Sequence, residues 1–156
     1  METENEIPAL LRRRLEELRT AAPDSIGAVM YYKLLSCDPK GGEYVFRCKS
    51  MPWMRNILGT LHGGICATML DQAMGFVSYC LKAGEGTAPA VHLSVDYHRP
   101  LRPGERVKVT VRVVSVTRNL MNLTAEACQE SHPEKICLSG SGVYFFKKTP
   151  DCFENE

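Results

Sequence analysis

The feature of this sequence that most restricts its fold is a long apolar segment, residues 61–81, which contains a single acidic residue. Its length matches the roughly 20 residues that a membrane-spanning helix needs. Asp71 and Gln72 lie near its middle, however, and an aspartate at the centre of a bilayer costs about 2.5 to 3.5 kcal/mol. We therefore predict a helix that begins at Gly63 and Gly64 and is surrounded by protein on nearly all sides.

Six predicted strands flank this helix. Residues 28–35 and 44–48 are separated by a turn-rich stretch and are expected to form a hairpin before it. Gly84 and Gly86 are expected to end the helix. Four more strands are predicted after it, at residues 91–99, 106–116, 120–129 and 136–147. Their short connections predict antiparallel neighbours, and the alternation of apolar and polar residues in the first two predicts one buried face for each.

The remaining segments complete a chain of 156 residues, a length that suits one domain. Residues 5–20 have apolar side chains at helical spacing and predict an amphipathic helix that Pro23 ends. We divide the chain into an N-terminal helix over residues 1–25, a domain over 26–148 and a flexible tail over 149–156. A single apolar helix among six antiparallel strands is buried only if the sheet curves around it. The fold class is therefore predicted to be α+β, with the hotdog arrangement of a curved antiparallel sheet wrapped around one long central helix.

Charge and cysteine content exclude several kinds of partner. Lys and Arg total 19 against 18 for Asp and Glu, so the chain lacks the positive field that holds a nucleic-acid backbone. The four histidines are scattered and no CxxC pair or HExxH motif occurs, so we predict no metal site. Seven cysteines, an odd number, and the absence of an apolar signal segment predict reduced thiols and a cytoplasmic protein. We expect neither nucleic acid nor a membrane among its partners.

A nine-residue motif leads into the apolar helix. Residues 56–64 read Asn-Ile-Leu-Gly-Thr-Leu-His-Gly-Gly, and Asp71 follows eight residues after Gly63. This pattern resembles the signature of the PaaI-like hotdog acyl-CoA thioesterases, and the likeness covers roughly residues 52–147, including a Tyr-His-Arg-Pro turn at 97–100. The resemblance implies hydrolysis of an acyl-CoA thioester to a free acid and coenzyme A, with no cofactor because coenzyme A is part of the substrate. It also implies homodimers or paired dimers with active sites at the subunit interface.

The residue types in this motif suit thioester hydrolysis on physical grounds. Gly63 and Gly64 at a helix start have backbone N–H groups without intrahelical partners, which stabilise a developing oxyanion or, alternatively, only cap and pack the helix. We assign Gly63 to catalysis and Gly64 to substrate binding. Asp71 is predicted to act as a general base on water or as a nucleophile on the thioester. The alternative for Asp71 is a structural acid that is hydrogen-bonded to Gln72 or to a neighbouring backbone group.

The spacing of these residues predicts a site shared by two chains. Eight residues separate Gly63 from Asp71, which corresponds to about 12 Å along a helix. Reacting atoms must approach within about 3 to 3.5 Å, so one substrate carbonyl cannot readily touch both residues of one helix. The oxyanion donor and the carboxylate should therefore come from facing subunits of an obligate dimer.

Three further positions receive roles around this motif. His62 is assigned a structural or carbonyl-positioning role, since a thiolate leaving group with a pKa near ~8.5 departs without much protonation. Asn56 occupies the position where the family keeps an amide near the thioester, and a loop asparagine that satisfies local backbone groups is an equal alternative. Where some relatives place a hydroxyl that orients the attacking water, this chain has Ala90, with Thr87 or Ser94 as imperfect substitutes.

Basic residues are candidates for binding the phosphates of coenzyme A. We predict Arg118, in the turn between the second and third of the four C-terminal strands, and Lys147, at the end of the last strand. Arg99 or Arg102 would serve equally well. The alternative for each is an ordinary solvated surface cation.

Competing functions find less support in the sequence. The Gly-Ser-Gly at 140–142 is followed by no helix, so it is predicted to be strand residues against which the central helix packs rather than a dinucleotide motif. A hydratase or dehydratase would pair a catalytic histidine with a carboxylate in a motif that does not occur here. A non-catalytic acyl-CoA sensor would use the same pocket and remains an alternative. A cysteine hydrolase built on Cys66 or Cys80 would lack an adjacent base.

Overall fold

The computed structural model describes residues 6–83 and 87–146, which form one antiparallel sheet and three α-helices. The helices are α1 (Ile7–Ala21), α2 (Ile26–Met30) and α3 (Gly63–Ser78). The strands are β1 (Lys33–Asp38), β2 (Glu43–Lys49), β3 (Ala90–Tyr97), β4 (Arg106–Val116), β5 (Leu120–Gln129) and β6 (Leu138–Phe145). A 3₁₀ turn (Pro52–Met54) precedes α3, and a π-helical turn (Tyr79–Ala83) continues it. The predicted helix stop at Gly84 and Gly86, the predicted phosphate ligand Lys147 and the predicted tail lie outside the described residues.

The sheet has the strand order β1-β2-β4-β5-β6-β3, and every pair in it is antiparallel. Helix α3 packs across it and contacts five of the six strands, β2 to β6. The predicted α+β arrangement of six antiparallel strands and one long central helix is confirmed. Within the described ranges, no helix is long and apolar enough to cross a membrane.

Helix α3 is fully buried along one face and half-buried elsewhere except at Gly64, so the prediction that protein surrounds it on nearly all sides is correct only in part. Its fully buried side chains recur every three or four residues and are Cys66, Met69, Leu70, Ala73, Met74, Val77 and Ser78. Ile65, Thr68, Asp71 and Gln72 are only half-buried. The sheet covers the fully buried side of the helix, and α2 and the segment after it contact the other side through Gly27 and Tyr32.

Strand β3 lies at an edge of the sheet beside β6, although its short connection to β4 predicted that those two strands would pair. The connection, residues 98–105, must pass β6 and β5, a distance of about 14 Å at 4.8 Å per strand, whereas eight residues reach up to about 26 Å. It is tied down on the way, because the Leu101 carbonyl accepts a 2.9 Å hydrogen bond from the Leu61 N–H and Leu101 is buried. A short loop therefore did not determine the neighbouring strand here.

The predicted first strand, residues 28–35, begins as a helix. The Ser25 hydroxyl accepts a hydrogen bond from the Ala28 N–H at 3.3 Å and so caps the start of α2. Tyr31 has a φ of 51°, which ends this helix in a left-handed conformation. The strand starts only at Lys33, and its hairpin with β2 is confirmed. A short apolar run does not distinguish a helix from a strand by periodicity, which explains the error.

Alternation in the sequence describes the environment of β4 correctly and that of β3 incorrectly. In β4, Val107, Val109 and Val111 are fully buried beneath α3, as predicted. In β3, Val91 is 59% exposed and Tyr97 is 56% exposed, so the predicted dry face is open in a single chain. Helix α3 reaches only part of this edge strand, and Val95 packs against the core whereas Val91 and Tyr97 do not. The apolar face of β3 is therefore only partly covered within the chain.

The inner face of β6 is predicted to require a glycine at position 140. A Cβ there would lie 2.5 Å from the Ser94 carbonyl oxygen and 3.0 Å from Leu70 Cδ1. Because the nearest atom belongs to the backbone of β3, Gly140→Ala should lower the free energy of unfolding by about 1 to 3 kcal/mol. Urea unfolding of this variant beside Ser141→Ala, which removes only a half-buried hydroxyl, checks the expectation. Equal stability of the two variants would contradict it.

Candidate active site

The start of helix α3 leaves two backbone donors without a hydrogen-bond partner among the described residues, the N–H groups of Gly63 and Ile65. His62 is the N-cap residue, and its Nδ1 accepts a hydrogen bond from the Gly64 N–H at 3.0 Å. The first bond of the helix runs from the Cys66 N–H to the His62 carbonyl, also at 3.0 Å. Among the hydrogen bonds of the described residues, none uses the Gly63 N–H. The predicted oxyanion donor is therefore free, whereas the Gly64 N–H is satisfied by His62.

A cleft of about 290 Å³ opens beside this helix start. Asn56 and Gly63, two of the predicted site residues, both line it, together with Tyr97 and Arg99. The Tyr97 hydroxyl donates a 2.8 Å hydrogen bond to the Gly63 carbonyl, which ties the helix start to strand β3. An adjoining open hollow is lined by Asn56 and His62 and by the exposed Trp53.

Asn56 organises the loop that borders the cleft. Its Oδ1 accepts hydrogen bonds from the Leu58 N–H at 2.9 Å and the Thr60 N–H at 3.2 Å. Its Nδ2 donates to the Thr60 hydroxyl at 2.9 Å. These contacts match the alternative of a loop asparagine that satisfies local groups. A contact of the amide with a thioester remains a prediction, and it would use the second hydrogen of Nδ2.

Asp71 lies in the middle of α3, half-buried, and its partner comes from β6. The Tyr144 hydroxyl donates to Asp71 Oδ1 at 2.8 Å and lies 3.0 Å from the Asp71 carbonyl oxygen. Asp71 is absent from the lining of the cleft that contains Gly63. The two residues belong to one continuous helix, so about 12 Å of helix separates them in a single chain. One chain does not bring the predicted oxyanion donor and carboxylate together.

Tyr144 was not singled out from the sequence. Alternation along β6 places Gly140, Gly142 and Tyr144 on the face that packs against α3. An inward-facing tyrosine opposite a helix with a single acid was the available signal, but the register between strand and helix was unknown. Burial and the neighbouring Asp71 carboxylate raise the pKa of Tyr144 well above its usual value, so this phenol remains a protonated donor.

Arg118, one of the predicted phosphate ligands, lies far from the cleft within one chain. Arg118 is exposed in the turn before β5. The cleft lies near Leu138, which pairs with Ala127, about 24 Å further along β5. Arg99 does border the cleft, and its guanidinium donates to the Ile136 carbonyl at 2.8 Å. Arg102 lines a neighbouring depression.

The part of the chain that the structure describes gives no support to a metal site or to a cysteine nucleophile at Cys66. No group of three or more His, Cys, Asp or Glu side chains there could hold a metal ion. Cys66 lines the cleft, but burial raises the pKa of its thiol to about 11. At neutral pH this side chain is a thiol rather than a nucleophilic thiolate, which argues against a cysteine hydrolase at this position.

Comparison with known proteins identifies the family. Residues 58–136 match the family model of the thioesterase superfamily. This chain belongs to the thioesterase superfamily. It is 30% identical over 109 residues to an uncharacterized acyl-CoA thioester hydrolase of Zymomonas mobilis, an alignment that covers 67% of this chain and 70% of the relative. It is 29% identical over 87 residues to human acyl-coenzyme A thioesterase 13, which covers 56% of this chain and 60% of the relative.

Solved structures of the superfamily have the same fold. Thioesterase superfamily member 2 from Mus musculus matches with a TM-score of 0.73 at 19% identity, over 94% of this chain and all of that one. A mutant of the phenylacetic acid degradation protein PaaI from Thermus thermophilus matches with a TM-score of 0.62 at 26% identity, over 74% and 93%. A Streptococcus mutans protein bound to acetyl CoA matches with a TM-score of 0.63 at 18% identity, over 74% and 88%. The predicted hotdog fold and PaaI-like resemblance are confirmed.

His62 is predicted to hold the helix start through its cap. His62→Ala removes the acceptor of the Gly64 N–H and should lower the free energy of unfolding by about 1 kcal/mol, whereas His62→Asn keeps a side-chain acceptor and should cost much less. Chemical denaturation at pH 8 of both variants and the wild type measures the difference. If the alanine and asparagine variants were equally stable, the cap would not be the stabilising contact.

Proposed function

We propose that this chain hydrolyses an acyl-CoA thioester to a free acid and coenzyme A. The proposal rests on the Gly63 N–H at the start of α3. This group has no hydrogen-bond partner among the described residues, and Gly63 lines a cleft in a chain of the thioesterase superfamily. Names of relatives support the substrate class, since two of them are called acyl-CoA thioester hydrolase and acyl-coenzyme A thioesterase. Acetyl CoA bound to a structural neighbour supports it further.

The Gly63 N–H is proposed as the oxyanion donor. In thioester hydrolysis the carbonyl oxygen gains negative charge as the tetrahedral intermediate forms, and a donor at a helix N-terminus adds the favourable end of the helix dipole. Removal of one such donor costs other acyl-transfer enzymes about 2.7 to 4 kcal/mol of transition-state stabilisation. His62 and Tyr97 hold the backbone of this turn, and the Asn56 amide is proposed as a second contact to the thioester.

Asp71 is proposed as the catalytic carboxylate. As a general base it accepts a proton from water while the water oxygen attacks the thioester carbon. The carbon–sulfur bond then breaks, and coenzyme A leaves as a thiolate that receives the proton. As a nucleophile, the carboxylate would itself attack the carbon, release the thiolate and leave an anhydride for water to hydrolyse. Both routes require an ionised Asp71, and neither needs a metal or a redox cofactor.

A composite site in a homodimer, or in paired dimers, reconciles the positions of Gly63 and Asp71. About 12 Å of helix separates them in one chain, too far for one reacting carbonyl. The open edge of β3, with exposed Val91 and Tyr97, offers an apolar surface that a second copy would cover. Facing subunits would then supply Gly63 from one chain and Asp71 from the other.

Few contacts of the described residues bear on how the nucleotide end of the substrate would bind. Arg99 borders the cleft and is the first candidate for the phosphates of coenzyme A, while Arg118 and Lys147 remain predictions. Within the described ranges, Cys37, Cys48, Cys66, Cys128 and Cys137 form no disulfide bond. Free thiols suit a reducing compartment, and we therefore propose a cytoplasmic protein.

The first test is hydrolysis by the wild type and by Asp71→Asn. A panel of short, medium, long and aromatic acyl-CoA substrates should release thiol with the wild type for at least one class. Asp71→Asn retains an acceptor for the Tyr144 hydroxyl but loses basicity and nucleophilicity, so kcat should fall by about 100-fold or more with the fold intact. Asp71→Ala should behave alike. Near-wild-type turnover by Asp71→Asn would reject this mechanism, and binding without turnover by the wild type would favour the acyl-CoA sensor.

The shared site predicts complementation between two inactive variants. Gly63→Pro removes the proposed oxyanion N–H, and the backbone tolerates it because His62 is extended with a ψ of 136°, the conformation that a following proline requires. A Cβ at Gly63 comes no closer than 3.5 Å to the Tyr97 hydroxyl. Mixed dimers of Gly63→Pro and Asp71→Ala chains contain one intact site, so they should recover roughly half the wild-type rate.

The control for complementation is each variant alone, shown to fold by circular dichroism and to dimerise by sedimentation. Heterodimers isolated with two different affinity tags then give the rate. If verified heterodimers showed no turnover, Gly63 and Asp71 would serve one chain's site or Gly63 would not be the donor.

A further inference from the structure

The catalytic carboxylate proposed above has one polar partner whose role the mechanism leaves unassigned. Tyr144 is 1% exposed, and its hydroxyl donates to Asp71 Oδ1 at 2.8 Å. No hydrogen bond among the described residues reaches Asp71 Oδ2. The two oxygens of the carboxylate are therefore not equivalent, since one is occupied by the phenol and the other is available to a reacting group.

Two glycines hold the ring that supplies this hydroxyl. A Cβ at Gly142, two residues before Tyr144 on β6, would lie 2.8 Å from Tyr144 Cε2. A Cβ at Gly75, one helix turn after Asp71 on α3, would lie 3.1 Å from Tyr144 Cε1. The ring thus fits between strand and helix only because both positions lack a side chain. Closely packed surroundings of this kind hold the hydroxyl at one place.

Strand β3, which pairs with β6, places no polar side chain opposite Tyr144. Ala90 on β3 is the register partner of Tyr144. A methyl group there neither donates to nor accepts from the carboxylate. The Tyr144 hydroxyl is consequently the hydrogen-bonding side-chain partner of Asp71 among the described residues.

We propose that Tyr144 is a positioning residue for the hydrolysis: it binds Asp71 Oδ1 and thereby presents Asp71 Oδ2 to the attacking water or to the thioester carbon. This inference rests on the proposed function. Tyr144 itself touches no reacting atom. It acts by selecting one orientation of the carboxylate, because a hydrogen bond from a closely packed phenol fixes the oxygen that accepts it.

The other titratable groups that face this carboxylate are neutral at assay pH. Tyr32, from the segment between α2 and β1, is buried, and its hydroxyl donates to the Met69 carbonyl at 2.9 Å. Burial raises the pKa of Tyr32 far above neutrality, and burial raises the pKa of the neighbouring Cys48 to about 12. No Lys, Arg or His side chain in the described ranges forms an ion pair with Asp71. Tyr144 is thus the side chain whose loss should release the Asp71 carboxylate from its present orientation.

The test compares Tyr144→Phe with the matched control Tyr32→Phe. Both variants remove one hydroxyl from a buried tyrosine that contacts α3, but only the first removes a bond to the carboxylate. Without that bond the carboxylate is no longer held in one orientation, so at pH 7 kcat should fall about tenfold while KM changes by less than about threefold. Tyr32→Phe should leave kcat unchanged.

A second measurement does not depend on turnover. Aspartate labelled with ¹³C at the side-chain carboxyl carbon gives the Asp71 carboxylate signal by NMR at pH 7, with Asp71→Asn to assign it. Tyr144→Phe, which removes the hydrogen bond, should shift that signal, and Gly75→Ala, which crowds the ring but keeps the hydroxyl, should shift it by less. An unchanged signal and an unchanged kcat in Tyr144→Phe, with an active wild type and an inactive Asp71→Asn, would overturn this inference alone. A wild type inactive on the whole substrate panel would instead overturn the proposed function and this role with it.

Discussion

The packing of α3 against the sheet is the contact on which the rest of the structure depends. It buries a continuous row of apolar side chains, from Cys66 to Val77, against strands whose inner faces include Val107 and Val109. Each fully buried aliphatic side chain contributes roughly 1.5 to 3 kcal/mol relative to an exposed one. The glycines of β6 let the helix approach closely. The same helix holds Gly63 at its start and Asp71 at its middle, so the packing that stabilises the fold also sets the geometry of the candidate site.

Sequence patterns predicted the elements whose signal is local. Helix α3 and strands β4, β5 and β6 were placed within a few residues, because burial on one side repeats at the period of each element. The pairing of β3 with β6 and the exposure of β3 were not predicted, since both depend on contacts distant in sequence. Helix α2 was taken for a strand because five residues are too few to show a helical period.

The features of the candidate site also fall into those set by local sequence and those set by contacts distant in sequence. The free N–H of Gly63 and the position of Asp71 follow from residues adjacent along one helix, and the sequence therefore indicated them, whereas the cap by His62 was not predicted. The bond between Tyr144 and Asp71 joins residues 73 apart, and only the register between strand and helix brings them together. Arg118 was predicted to be a phosphate ligand from its residue type and its place in a turn, and a single chain does not bring it to the cleft, so this role stays a prediction.

The two parts of the candidate site are held by contacts of different kinds. Asp71 is fixed from inside the domain, through a tyrosine that is 1% exposed and packed between two glycines. The helix start at Gly63 is held by exposed side chains, the His62 cap and the Tyr97 hydroxyl, beside a loop whose Ile57 is fully exposed. Buried contacts resist local opening far more than exposed ones do. The orientation of the carboxylate is therefore a property of the core, whereas the shape of the cleft around the oxyanion donor depends on what covers this surface.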